Sequence, residues 1–209
     1  MMEYWKKSSD KLIQAFVEHV QLVSLAMMFA LLFSLALVAL IRRWPNLRNG
    51  SIYLLSVIYA IPSLAVFALL IPVTGLGKTT AIIVLVVYVQ YILVRNILLG
   101  LDQVDDRVLE VADAMGMTQR QVLHRVQIPL AMPTIVTGLK ISTTSTVGIA
   151  TMAAVINGGG LGKILFEGLR TMDLIKLVWG TLLTVILCLL VNIFWNLLYG
   201  VLKKVHPYF

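Results

Sequence analysis

The chain carries apolar runs of about 20 residues, one after another, separated by short polar connections. Such a run matches the roughly 20 residues that a helix needs to cross a bilayer core of about 30 Å. In hydrocarbon every backbone amide must be satisfied within the segment, so helices are the natural form for runs of this length. We place spans at about 20–41, 52–72, 79–99, 133–156 and 174–202, with a polar loop at 102–130 between the third and fourth. The expected fold is an all-α integral membrane protein of five transmembrane helices, organised as a single domain over 1–209. Composition agrees: 59% of the 209 residues are hydrophobic and 13% charged, against about 45–50% and about 25% in soluble domains. The first run, Leu22–Ile41, exceeds the 7–15 residues of a signal-peptide core and ends in Arg42-Arg43-Trp44-Pro45, not in a small-residue cleavage site.

The proline and charge placements refine this picture. Pro62 falls near the middle of span 2, where it predicts a kink beside a pathway or a packing distortion, and Pro72 is expected to close the span. Residues 1–19 are mixed polar. Basic residues tie at three on each side of span 1, but Arg42, Arg43 and Arg48 sit against it. The 102–130 loop adds Arg107, Arg120 and Arg125, and the tail adds Lys203 and Lys204. This bias predicts an external N-terminus, with the loop and the C-terminus in the cytoplasm. The net charge of +7 is scattered over span ends, which suits anchoring to membrane lipid and excludes nucleic acid as a partner.

Several chemistries fail on inspection. Gly77-Lys78-Thr79 looks like the end of a Walker A loop, but Pro72 stands where its first glycine belongs. The chain should not bind ATP itself. Neither HExxH nor CxxC occurs, so no metal site is expected. His19, His124 and His206 are isolated and are expected to face solvent, and the single Cys188 lies in an apolar run. No catalytic residue is assigned.

Three stretches remain. Ser142-Thr143-Thr144-Ser145-Thr146 covers every face of span 4. Some of these hydroxyls must therefore point into the bundle, where they bond back to the helix or line a wet path. Thr143, Thr144, Ser145 and Thr146, with Pro62 and Met152, are candidate pathway-lining residues. Gly158, Gly159, Gly160 and Gly162 form either a flexible external loop or a contact surface for an external partner. Aromatic faces at Tyr59, Phe67, Tyr88 and Phe194 could recognise a quaternary ammonium group if they converge.

The third stretch, Glu110–Pro133, reads as two short helices hinged at glycine. Val104, Val108, Val111, Ala112 and Met115 make one apolar stripe, and Gly116 supplies a left-handed end. Thr118 and Gln121 have capping-box spacing, and the second helix is expected to stop before Pro129. Glu110-Val111-Ala112, three residues, Gly116, nine residues, then Val126-Gln127-Ile128-Pro129 resembles the EAA signature of bacterial ABC-importer permeases. Val111, Val126 and Ile128 depart conservatively from that pattern. The resemblance implies that this loop is a coupling helix docking on an ATPase subunit, with Glu110, Ala112, Ala114, Met115, Gly116, Met117 and Pro129 as its coupling residues.

Further blocks resemble the osmoprotectant (glycine betaine/carnitine/choline) branch of that family. They are Ile61-Pro62-Ser63-Leu64-Ala65, Leu70-Ile71-Pro72, Gly75-Leu76-Gly77, and Val147–Ile156 leading into Gly159-Gly160-Leu161-Gly162. The last is shared with methionine-type permeases. The resemblance implies a multi-pass protein of the bacterial inner membrane with two ATPase partners, a second permease copy and an extracellular solute-binding protein. ATP and Mg would be held by the ATPase, with no cofactor in this chain. A permease for methionine or another small solute is the alternative within the family. A secondary transporter or channel working without an ATPase is the alternative outside it.

Overall fold

The computed structural model describes residues 2–205, and among them all regular structure is helical. The helices are α1 (Met2–Arg43), α2 (Arg48–Ala60), α3 (Ser63–Thr74), α4 (Lys78–Asp102), α5 (Asp106–Ala114), α6 (Gln119–Val122), α7 (Ile128–Met152), α8 (Gly162–Thr171) and α9 (Leu174–Val205). Four helical segments are long and apolar enough to cross a membrane, or five if the bent α2–α3 pair counts as one span. His206 lies outside the described residues.

α4 is the centre of the bundle. Its buried positions Ala81, Val84, Leu85, Tyr88, Leu93 and Val94 go round the helix, and α1, α2, α3 and α7 pack about it. α9 is apolar nearly all round, yet Leu189, Leu190, Ile193, Phe194 and Leu197 are exposed. A helix with this pattern leaves its outer face to lipid or to a partner helix.

The mixed polar N-terminal stretch is not a separate segment, because α1 begins at Met2 and runs 42 residues. At 1.5 Å per residue that is about 63 Å, roughly twice the bilayer core. No glycine or proline interrupts residues 2–43. Leu12, Ala15, His19, Leu22, Ala26 and Ala30 recur every three or four residues and are all buried, so one stripe carries the helix past the polar residues.

Pro62 does more than kink its span. α2 and α3 meet at 95°. Ile61 (ψ 134°) and Pro62 (ψ 129°) are both extended, as the steric demand of proline on its predecessor requires. The Ile61 carbonyl freed by the break accepts a hydrogen bond from the Tyr88 hydroxyl on α4. Pro72 does not close α3, which continues to Thr74 and ends at Gly75 with φ +78°.

Candidate functional site

The coupling element is built from local capping. Asp105 caps α5, its carboxylate accepting the Arg107 N–H at 2.9 Å. At the other end Gly116 has φ +75°. Its N–H donates to Asp113 O at 2.9 Å, and Met117 N–H donates to Ala112 O at 3.2 Å. This is the paired termination that a left-handed residue makes possible. Thr118 and Gln121 close a capping box over α6, with Thr118 N–H donating to Gln121 Oε1 at 2.8 Å.

The apolar stripe read from the sequence divides here. Val104 and Ala112 are buried, while Val108, Val111 (60% exposed) and Met115 (76% exposed) face outward. Glu110, Ala114 and Gly116 are also exposed, and Met117 and Pro129 are half-buried. The element therefore presents an apolar outer face around the Gly116 turn, with Ala112 on its inner side.

The second helix does not stop before Pro129. α6 passes through a π turn, Leu123–Gln127, directly into α7, which also carries Pro133. A proline ring clashes with the carbonyl four residues earlier, and the wider π turn sits where that clash would fall for Pro129. The roots of the element are fastened to the bundle. Arg48 pairs with Asp102, Thr134 donates to Gln103 Oε1 at 2.8 Å, and Arg42 donates to Gln127 Oε1 at 2.8 Å.

The hydroxyl run on α7 separates by face. Thr143 and Thr146 are buried joints between helices, and Thr143 also lines a cavity of about 430 Å³ with Met27 and Trp195. Thr143 accepts from Trp195 Nε1 at 3.1 Å and donates to Leu139 O at 2.7 Å. Thr146 donates to Ser142 O at 2.8 Å and lies 3.5 Å from Met27 Sδ. Thr144 accepts from Asn192 Nδ2 at 3.3 Å. Ser145 and Met152, half-buried, instead share a face with the exposed Ile141 and Gly148. Their spacing of three and four residues makes one open stripe.

Aromatic rings converge at the α2–α3 break, where Pro62 is exposed. The Tyr59 ring lies 6.1 Å from Tyr88 and 5.4 Å from Tyr91. Arg95 stands 5.7 Å from the Tyr91 centroid and donates to its hydroxyl at 2.6 Å. A cavity of about 510 Å³ adjoins them, lined by Tyr53, Ser56, Tyr91, Arg48 and Arg95 among others. Phe67 is buried in the core, and Phe194 stands on α9 against Trp195. Sequence reasoning left Tyr91 out of this group, although its spacing of three from Tyr88 places both on one face of α4.

The glycine run is neither a loose loop nor an exposed contact surface. Gly158, Gly159, Gly160 and Gly162 are all buried. Asn157 turns the chain at φ +61°, and Gly159 and Gly160 follow at φ +92° and +77°. A Cβ on Gly162 would collide with the Thr151 carbonyl, and one on Gly158 would lie 2.8 Å from Ala153 O. The corner between α7 and α8 thus packs where only glycine fits. It packs on Glu18 and on His19, which is fully buried instead of facing solvent. His124 is exposed as expected. No cluster of metal-ligating side chains occurs among the described residues.

Three comparisons with known proteins bear on this geometry. The family model described as "Binding-protein-dependent transport system inner membrane component" matches residues 34–204. The glycine betaine/carnitine/choline transport system permease protein OpuCB of Bacillus subtilis (strain 168) is 30% identical over 192 residues, covering 92% of this chain and 88% of that protein. The carnitine transport permease protein OpuCB of Listeria monocytogenes is 35% identical over 153 residues, 73% of this chain and 70% of its own. Among solved structures, an inward-facing MetNI methionine ABC transporter superposes with a TM-score of 0.78 at 20% identity. That superposition covers 90% of this chain and 94% of the other, and at this identity it speaks for the fold alone.

Proposed function

The chain belongs to the family of binding-protein-dependent transport system inner membrane components and is an ABC-importer permease subunit, and from that premise we propose that its cargo is a quaternary-ammonium compatible solute such as glycine betaine, carnitine or choline. The observation that carries this reading is similarity, along nearly the whole chain, to a permease named for those solutes.

The chain spans the inner membrane with its N-terminus outside and the α5–α6 element in the cytoplasm. Two ATPase subunits bind the exposed face around Val111, Met115 and Gly116, and they supply ATP and Mg chemistry from their own residues. Closure of the ATPase pair displaces Glu110–Gln127. The capped helix pair passes that displacement to α4 through Asp102 and Gln103 and to α7 through the π turn. The pathway between this chain and a second permease copy then opens outward, along the Ser145–Gly148–Met152 stripe, to receive solute from an external binding protein.

Uptake by the reconstituted complex, with betaine, carnitine, choline and methionine in competition, tests the cargo. Betaine, carnitine or choline should compete, and uptake of methionine alone would refute the assignment. Family membership supports an ATP-driven importer over a channel or secondary transporter, and solute flux through the purified chain without any ATPase would refute that reading.

A further inference from the structure

α1 is fastened to the α7 arm of the bundle at two levels, one at its C-terminal end and one near its middle. At the coupling end the tie is Arg42 to Gln127. About 36 Å away along α1, counting 1.5 Å per residue from Arg42 to Glu18, Glu18 and His19 hold the corner between α7 and α8. His19 grips both arms of that corner. Its Nδ1 accepts the Leu161 N–H at 3.2 Å. The ring proton therefore sits on Nε2, which donates to Val147 O at 3.1 Å. Glu18 Oε2 accepts from Gly160 N–H at 3.1 Å and from Lys163 Nζ at 3.1 Å.

The glycines record how close this contact is. A Cβ on Gly159 would lie 2.8 Å from Glu18 Oε2, and one on Gly160 would lie 2.7 Å from His19 Nδ1. Separating the two surfaces would strand two backbone N–H groups and both ring nitrogens of a fully buried imidazole. The α2–α3 break is the opposite kind of contact. Its two extended residues are exposed, and one phenolic hydrogen bond holds the freed carbonyl.

We propose that Glu18 and His19 are a positioning pair, a clamp that makes α1 and the α7–α8 corner a single rigid body throughout the transport cycle. Displacement of the coupling element then carries α1 along with α7, and the relative motion is taken up at the α2–α3 break. The proposal rests on the permease reading above, but it assigns the pair a role that does not depend on which solute is carried.

The test uses the full transporter complex in proteoliposomes. In a Cys188→Ala background, Glu18→Cys and Lys163→Cys are bridged by a short thiol cross-linker. The unbridged double variant lacks the Glu18 contacts, so bridging should hold or raise its uptake; loss of uptake on bridging, restored by cleaving the bridge, would overturn the clamp. Separately, His19→Leu should lower solute moved per ATP hydrolysed by about tenfold, within the usual range of coupling between sites, while hydrolysis continues. His19→Gln, which keeps a donor and an acceptor, should recover most of it. An assembled His19→Leu complex with the wild-type ratio would also overturn the proposal, and if that variant fails to assemble the cross-link decides alone. Uptake by the wild-type complex is the control: its absence counts against the permease reading, whereas loss on bridging or a wild-type ratio in His19→Leu counts against the clamp.

Discussion

Replacing Gly116 tests whether the coupling turn works through its backbone. A Cβ at this position would meet nothing within 4 Å, so Gly116→Ala introduces no clash. What it introduces is a left-handed conformation for an L-residue, at φ +75°, costing about 1–2 kcal/mol. A cost of that size changes the population of the turn by a factor of about 5–30. Gly116→Asn should cost less, because asparagine visits this region more readily. Gly116→Pro should cost most, since proline fixes φ near −65° and removes the N–H that Asp113 O accepts. In proteoliposomes, uptake per ATP hydrolysed should fall in the order wild type, Asn, Ala, Pro, with membrane insertion normal throughout. Gly50→Ala on α2 is the control, because its Cβ also meets open space and its φ is not positive. Equal coupling in the wild type and all three Gly116 variants, or an alanine effect matched by Gly50→Ala, would refute the reasoning.

The same geometry sets four other expectations. Met115→Asp, on the exposed face, should reduce copurification of the ATPase without lowering the melting temperature of the isolated permease. Tyr88→Phe leaves the Ile61 carbonyl without its partner and should destabilise the protein by about 1–3 kcal/mol, measurable by thermal unfolding in detergent. Gly162→Ala meets the Thr151 carbonyl and should abolish accumulation of folded protein, whereas Gly148→Ala, with open space around it, should not. Lys176, in the first turn of α9, holds the Glu167 carboxyl of α8 below its usual range through a 2.7 Å ion pair. Because the folded pKa is depressed, the contribution is present at neutral pH and lost as pH falls through that value, so hydrogen-exchange protection in α8, taken relative to the intrinsic rate at each pH, should fall in acid and Glu167→Gln should remove the change.

What could be read from the sequence was local. Asp105, Gly116, Thr118 and Gln121 act within four residues of themselves, so their spacing already encodes the caps that the structure contains. Pro129 misled because a stop and a π turn both answer the same steric problem, and only the packing of α7 against the bundle chooses between them. The glycine run misled for a related reason: a turn in solvent and a turn pressed against a neighbour need the same residue. Its neighbours Glu18 and His19 lie 142 residues from the backbone groups they bind, and nothing near either one announces that partnership. Thr143 and Thr146 were ambiguous until α9 and α1 were placed, since a hydroxyl facing a pathway and one facing a tryptophan ring read alike.

The π turn at Leu123–Gln127 also works as a protractor. Each residue of an α-helix advances the chain by about 100° and 1.5 Å, so the extra residue held in a π turn fixes the angle at which α6 and the Gly116 turn leave the axis of α7. Removing one residue from 123–127 would restore a regular ladder and swing the docking face about 100° around that axis. The chain would keep its hydrophobic spans and its caps, and would present them to the ATPase pointing the wrong way.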